Sequence, residues 1–492
     1  MSPDSAQTEN KQFIARIFIW VVTALVILNG SVLRFEFVPV RASSLPKLDR
    51  NPSDSELKTI TRKPKPQNAN FGLALDALDW PQVQRDPQRT GYSPETLGTN
   101  IQVIWTHPFQ PEKVFPQVQP IVYSGKVFVG TEMGNLYALD ALTGAQAWVY
   151  PVGAPILNSV AAADGKVFFG AMDGAVHSVS ASNGSLVWKT SLSWRLGFST
   201  APVLADGKVM LGGRDGVFYA LDPQDGHTIW QYNAGAPILQ TAAWDNGRVF
   251  FGSMNMRLYA INSTDGVLAW KSDHLPGMAF KDYWPVVHQG LVYIRPMGGG
   301  GLGVADRSKV TDPSAQQTVL DGYTDNPGGY TLNLLRFNAL TGTEAPPVIH
   351  YDYQTMNGAT SPPCIDRDGY LVIPAPYFGG YETGWGRLDP NLRILVTLLD
   401  DGTTAGFGNA DENMNVTCAR NLILAFHTEE YNAQYTGAFD LDHLKWTHIP
   451  FGHTRREMST NTQGGGGNPA SVSNGMIFHI SYHELIARSA QE

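Results

Sequence analysis

The residues of this 492-residue chain whose types and spacing could do chemistry are few: two cysteines, a close histidine pair, one glycine-rich run and scattered carboxylates. Cys364 and Cys418 allow at most one intrachain disulfide, so neither a disulfide-rich scaffold nor a four-cysteine zinc site can form. His479 and His483 share one face if their segment is a strand, but a zinc site needs a third ligand and none is evident. Gly298-Gly299-Gly300-Gly301-Leu302-Gly303 satisfies GxGxxG, yet the polar stretch after it is broken by Pro313 and no βαβ unit surrounds it. It reads as a flexible insertion. The sequons at Asn183, Asn262 and Asn415 coincide in part with turns and do not establish glycosylation.

Composition narrows the field further. Thirty-five Lys and Arg against 44 Asp and Glu give a net charge of −9, which argues against a phosphate-binding surface and against nucleic acid as a partner. With 43% hydrophobic and 16% charged residues, 50 Gly and 32 Pro, the chain is folded and dense in turns. Coiled coil and wholesale disorder are excluded.

Phe13–Leu33 is almost continuously apolar, and a helix needs roughly 20 residues to cross a bilayer. The expectation is a transmembrane signal-anchor over residues 13–33 after a tail of residues 1–12; a cleaved signal peptide and a soluble core helix are the alternatives. Basic residues flank it on both sides, Lys11 and Arg16 before and Arg34 and Arg41 after, so charge gives no strong orientation. The large carboxy-terminal part favours export, with the protein on the extracytoplasmic side of a cell membrane. Residues 34–78, punctuated by Pro39, Pro46, Pro52, Pro64 and Pro66, read as an extended spacer before a domain over residues 79–492.

That domain is repetitive. Ser124–Trp148, Asp164–Trp188, Asp206–Trp230 and Asn246–Trp270 align position by position, and Trp105, Trp148, Trp188, Trp230 and Trp270 are 43, 40, 42 and 40 residues apart. This period suits one four-stranded antiparallel sheet per unit, a propeller blade. Within a unit, KVFFG-like and LYALD-like strands are joined by short turns and followed by the Trp strand. The turn Asp, Asn and Gly residues, and the Trp that fills space between sheets, therefore have structural duties. Four further units, at Gly290–Ile294, Asp368–Ile373, Asn421–Leu424 and Asn474–Phe478, carry longer insertions. The last stops before any Trp strand, while Ile101–Trp105 is a Trp strand with no unit before it. The two fragments complete each other. The expected fold is all-β: an eight-bladed β-propeller closed by an N-terminal strand in the last blade and preceded by one transmembrane helix.

The AxDxxTGxxxW pattern at Ala138–Trp148 and Ala220–Trp230, with the leading Trp80-Pro81-Gln82 and Asp86-Pro87-Gln88-Arg89-Thr90-Gly91, resembles the pyrroloquinoline-quinone (PQQ)-type repeat of eight-bladed propellers. The resemblance covers residues ~80–490 and is strongest in the first four blades. It implies kinship with quinoprotein alcohol dehydrogenases and with non-enzymatic propellers such as the assembly lipoprotein of the BamB type. The dehydrogenase branch implies PQQ, calcium held by Glu, Asn and Asp, and an adjacent cysteine pair. This chain has no adjacent cysteines. Cys364 and Cys418 instead take similar places early in blades six and seven, and are expected as small buried thiols, with an inter-blade disulfide as the alternative.

Counting seven residues back from each corner glycine gives Val118, Asn158, Thr200, Gln240, Tyr283 and Asn468, with Asn415 a looser match, where innermost strands begin and face a central funnel. This polar ring reads either as solvation of a water-filled channel or as a site for a small polar ligand. Lys281 and Asp282 add charge at its mouth, and Asp411, Glu412 and Glu429 can add carboxylates. No cofactor and no metal are expected unless the chain is a divergent quinoprotein oxidoreductase, which would bring PQQ and calcium. The preferred expectation is a membrane-held binding or scaffold module for a protein partner or small polar ligand, with a BamB-like assembly factor as a further alternative.

Overall fold

The structure is a computed structural model that describes residues 78–491 except 194–195, 276–278, 282, 297–329, 353–361, 377–382, 390–393, 399–415, 426–436, 444, 449–468 and 482. The chain divides into units of residues 1–67 and 68–492, and all described residues belong to the second. Its strands form eight four-stranded antiparallel sheets. Seven take four strands consecutive in sequence. The eighth is composite: Ser471–Ser473, Met476–Ser481 and Glu484–Gln491 are completed on the outside by Asn100–Pro108, paired from Asn100↔Gln491 to Pro108↔Glu484 with a bulge between Val103 and Trp105. This pairing covers what would otherwise be an open sheet edge.

The expected fold is corrected in its helical part. Among the described residues there is no helix, hence none long and apolar enough to cross a membrane, and the expected anchor over residues 13–33 lies outside them.

Each sheet stands between two neighbours, so its second strand is buried on both faces and reads as an almost unbroken apolar run. Lys126–Gly130, Lys166–Gly170 and Lys208–Gly212 are buried in four of their five residues. The outermost strands are different: in Gln146–Pro151, Leu186–Ser191 and Thr228–Asn233 only the tryptophan is buried. Trp105, Trp148, Trp188, Trp230 and Trp270 each donate Nε1 to a turn carbonyl of the next blade (Ala141, Ala181, Pro223, Ser263, Ala339) at 2.8 to 3.2 Å. Each ring lies against that turn's glycine, Gly144, Gly184, Gly226, Gly266 or Gly342, where a Cβ would meet a Trp carbon at 2.5 to 2.8 Å. Gly184 also has φ 73°, so Gly184→Ala faces both backbone strain and a collision. Its expected cost is about 2–3 kcal/mol. Gly165→Ala, at φ 69° but with open space around it, should lose about 1 kcal/mol or less, the conformational part alone. Urea midpoints at unchanged slope check the pair, and equal losses would refute the packing explanation.

On the opposite face, each of the turns joining second and third strands in blades two to four is tied to an aromatic residue four positions later. Asp173 binds His177 Nε2 at 3.0 Å, Asp215 accepts from Tyr219 at 2.7 Å, and Asn255 donates to Tyr259 at 2.8 Å. Blade one has Met133 at this turn position, and Glu112 from the connecting segment substitutes, accepting from Tyr137 Oη at 2.6 Å and Asn135 at 2.9 Å. Burial, then this bond and the charge of Glu112, push Tyr137 up to about 12.

Burial alone would raise the Asp173 carboxyl, but the bonds from His177 and from Lys189, at 2.8 Å, outweigh it and hold it well below the usual range. A carboxylate with a depressed folded-state pKa contributes stability that is present above about pH 4 and lost as the pH falls. Asp173→Asn should therefore destabilise at pH 7 by about 1 kcal/mol after solvent screening, with the difference from wild type shrinking steadily as the pH falls below about 4. Urea titrations of both proteins at several pH values check this, and a pH-independent difference would refute it.

Cys364 and Cys418, expected first as buried thiols, form a disulfide with Cα atoms 6.1 Å apart. They sit in the innermost strands of blades six and seven, Cys364–Ile365 and Val416–Cys418, which neighbour each other in the ring.

Candidate functional site

The axis of the ring is where inner strands converge and where a ligand would be recognised. These strands expose N–H and C=O groups toward the channel, and buried backbone groups need partners. Residues 80–95 supply them blade by blade. Trp80 exchanges two backbone bonds with Val122 of blade one, at 2.9 and 3.0 Å. Pro81 O accepts from Ala162 of blade two at 2.8 Å, and the Gln82 amide binds Leu204 of blade three through both N and O. Pro87 O and Gln88 O accept from Trp244 of blade four and Val287 of blade five, at 2.7 and 2.9 Å. Thr90 O and Gly91 O accept from Ile365 of blade six and Cys418 of blade seven, both at 2.8 Å, and Glu95 accepts from Gly475 of blade eight at 2.7 Å. The segment is thus bonded to all eight blades in turn.

Arg89 anchors this segment. It is completely buried, and donates to the carbonyls of Ala242 and Val83 at 2.8 Å and of Pro202 at 3.2 Å, and to Gln82 Oε1 at 3.4 Å. Burial lowers it to about 9, which the charge of Asp86 partly opposes, so it is a cation at neutral pH. Asp86 is itself raised by burial and accepts from both the backbone N–H, at 2.9 Å, and the hydroxyl of Thr90.

Above this belt lies the predicted polar ring, and the structure commits its described members to the protein. Asn158 donates to Ser199 O at 3.0 Å and Thr241 Oγ1 at 3.4 Å while accepting from Ser159 N at 2.8 Å. Thr200 donates to Gly212 O at 2.7 Å, and Gln240 accepts from Gly252 N at 3.2 Å. All three are at most 4% exposed, so they brace the inner strands and do not line open water. Lys281 is half-buried and forms a backbone bridge with Leu239, and Tyr283 packs edge-on against Trp284. Val118 is wholly buried. Asp282, Asn415, Asn468, Asp411, Glu412, Glu429 and the Gly298–Gly303 run lie outside the described residues. His479 Nε2 accepts from Arg488 at 3.1 Å whereas His483 Nδ1 faces Glu112 O at 3.0 Å, so the two imidazoles have separate duties. Ser263 of the second sequon is buried and bonded to Asp206.

Sequence reasoning missed Gln119 and Trp284. Gln119 joins three parts of the axis, accepting from Gln84 N at 2.7 Å, donating to Ala470 O at 2.8 Å, and binding Ser159 Oγ through its own N–H at 2.7 Å. Trp284 is 3% exposed and belongs to one buried cluster with Val83, Ala201 of blade three and Ile365 of blade six, residues from different sides of the ring. Its Nε1 has no acceptor among the described residues. Its position directly after the counted residue Tyr283 was the only available signal.

A quinone cofactor with calcium, implied by the dehydrogenase branch, needs convergent carboxylate and amide oxygens for the ion. The described carboxylates near the axis are committed elsewhere: Asp86 to Thr90, Glu95 to Ser93 and Gly475, and Asp366 to Arg387 at 2.6 Å. The cysteines are bonded across 54 residues and are not adjacent. Asp222, Asp225 and His227 approach one another, but on an outer turn of blade three, away from the axis. The described residues do not fit that group.

A ring of four-stranded sheets with tryptophan-to-glycine inter-blade contacts and a closing outer strand defines a β-propeller of the PQQ-repeat class. A family model described as outer membrane protein assembly factor BamB matches residues 101–237 and 132–273. Quinoprotein ethanol dehydrogenase of Pseudomonas aeruginosa is 34% identical over 150 residues, 25% of this chain and 24% of that protein. 1-Butanol dehydrogenase (cytochrome c) of Thauera butanivorans is 26% identical over 127 residues, 23% of this chain and 18% of that protein. The matches thus span about a quarter or less of these relatives' length. BamB from Moraxella catarrhalis shares the fold at TM-score 0.52 and 14% identity, over 79% of this chain and 99% of that one. Quinohemoprotein alcohol dehydrogenase from Comamonas testosteroni does so at 0.57 and 12%, over 84% and 80%. Residues 101–273 thus resemble the PQQ-type repeat, and the ring shares the fold of quinoprotein alcohol dehydrogenases and of BamB.

Proposed function

We propose that the chain is a binding or scaffold propeller, held on the extracytoplasmic side of a membrane by its apolar residues 13–33, with a protein partner and no reaction of its own. The observation that carries this reading is the state of the inner ring: Asn158, Thr200 and Gln240 spend hydrogen bonds on the propeller itself, and residues 80–95 are bonded to every blade. A buried disulfide agrees with an oxidising compartment. The partner surface is the face where the inner strands begin. The long connections of blades five to eight, such as those from Ile294 to Tyr330, Leu398 to Val416 and His448 to Ser471, all leave and return there, because second-to-third-strand and blade-to-blade links share one end of each sheet. The equivalent link in blade one runs only from Gly130 to Asn135. Loops on a rigid scaffold are where recognition concentrates.

A second reading, a divergent quinoprotein oxidoreductase, is favoured by the 34% identity to quinoprotein ethanol dehydrogenase in part of the chain. Calorimetry of the purified protein with PQQ and calcium, together with dye-linked oxidation of short alcohols, separates the two. No saturable binding and no turnover are expected. Stoichiometric binding with turnover would overturn the scaffold reading. Crosslinked partners dominated by membrane β-barrel assembly components would instead favour an assembly factor.

A further inference from the structure

The five described tryptophan contacts hold the junctions from blade eight to one through four to five. They end there. The outer strands of blades five and six, Glu344–Asp352 and Ile394–Leu398, contain no tryptophan. The turns that would receive one, after Asp389 in blade six and after Asp440 in blade seven, contain no glycine either, so both halves of the contact are lost together. The blade five to six junction keeps a buried cluster around Trp284, Tyr293, Ile365 and Leu371. The blade six to seven junction has a buried cluster of its own, Val372 against Val416, Ile423 and Phe439, with the Cys364–Cys418 bond inside it and an ion pair between Arg367 and Asp442 at 2.6 Å whose half-exposed partners contribute little.

The same two strands hold the end of the leading segment. Ile365 N donates to Thr90 O and Cys418 N to Gly91 O, while Ser93 N donates to Cys418 O at 2.7 Å. A Cβ on Gly91 would stand 3.1 Å from the Cβ of Cys364, so segment and disulfide pack directly. We propose that the Cys364–Cys418 bond is a redox lock on the blade six to seven seam, which holds residues 90–93 in the channel when formed and lets the seam open locally when reduced. The step is thiol–disulfide exchange with a dithiol: its thiolate attacks one sulfur, the S–S bond breaks, and two thiols remain at Cys364 and Cys418 while the dithiol closes to its own disulfide. Two electrons and two protons pass to the protein.

Hydrogen exchange read by mass spectrometry on the intact protein tests this, comparing the oxidised form, the form reduced by dithiothreitol, and the Cys364→Ala/Cys418→Ala double variant. Loss of the bond should accelerate exchange at Ser93, Ile365 and Cys418 or its replacement by about tenfold or more. Lys166–Gly170 and Lys208–Gly212 should keep their rates. Unchanged exchange at the seam, with both thiols shown free by alkylation or with both removed, would overturn the proposal. So would equal acceleration in blades two and three, because the bond would then support the whole ring and not one seam.

Discussion

Arg89→Met should destabilise the propeller by about 3–5 kcal/mol, one of the two largest losses expected from a single substitution in this chain. The side chain is fully buried and its three nitrogens serve carbonyls from the leading segment, blade three and blade four. Methionine nearly matches its length but donates nothing, so the carbonyls of Ala242, Val83 and Pro202 lose their donor where water cannot replace it. Arg89→Lys keeps a charge but has one nitrogen in place of a planar fork, and should fall between wild type and Met. Urea unfolding of the three proteins gives the order. A loss below about 1 kcal/mol for Met would mean that the leading segment is a passenger on a ring that closes without it.

The leading segment shows where sequence reading succeeds and where it stops. Strand positions were legible because each blade repeats the same burial demands, and Val127, Val167 and Val209 must meet them in turn. The outer tryptophans were legible as packing residues for the same reason. The path of residues 80–95 was not, because most of its bonds to the blades use backbone carbonyls, such as those of Pro81, Pro87 and Gly91, which any side chain supplies. Counting from the corner glycine put Asn158, Thr200 and Gln240 three residues ahead of the inner strands Ala161–Ala163, Val203–Ala205 and Ala243–Asp245, not at their starts. It could not show that Ser199 O, Gly212 O and Gly252 N would bond them there, since those partners lie on other strands or in a neighbouring blade. The cysteines were recognised as equivalent in blades six and seven, but whether adjacent inner strands bring two sulfurs within bonding reach depends on blade rotation, which composition does not encode. The helical anchor was read from hydropathy alone, and no tertiary contact among the described residues bears on it.

Trp148→Ala should cost about 3–5 kcal/mol, the range for removing a large buried aromatic side chain. Its indole is 8% exposed, packs 5.7 Å from the Phe128 ring, covers Gly184 of the next blade and donates to Ala181 O at 3.2 Å. Truncation therefore opens a void between blades one and two and takes the donor from a turn carbonyl. The combination with Gly184→Ala is more informative than either change alone. In the single Gly184 variant the new methyl collides with Trp148 Cε3, which an ideal Cβ would approach to 2.6 Å. With alanine at position 148 that collision disappears, and only the strain of φ 73° remains. The double variant should then be more stable than the sum of the two losses predicts, by about 1–2 kcal/mol. Strict additivity would show that Gly184 is needed for its backbone conformation alone, and the loss of glycine together with tryptophan at the junctions from blade five to six and from six to seven would then need a different cause from the contact between them.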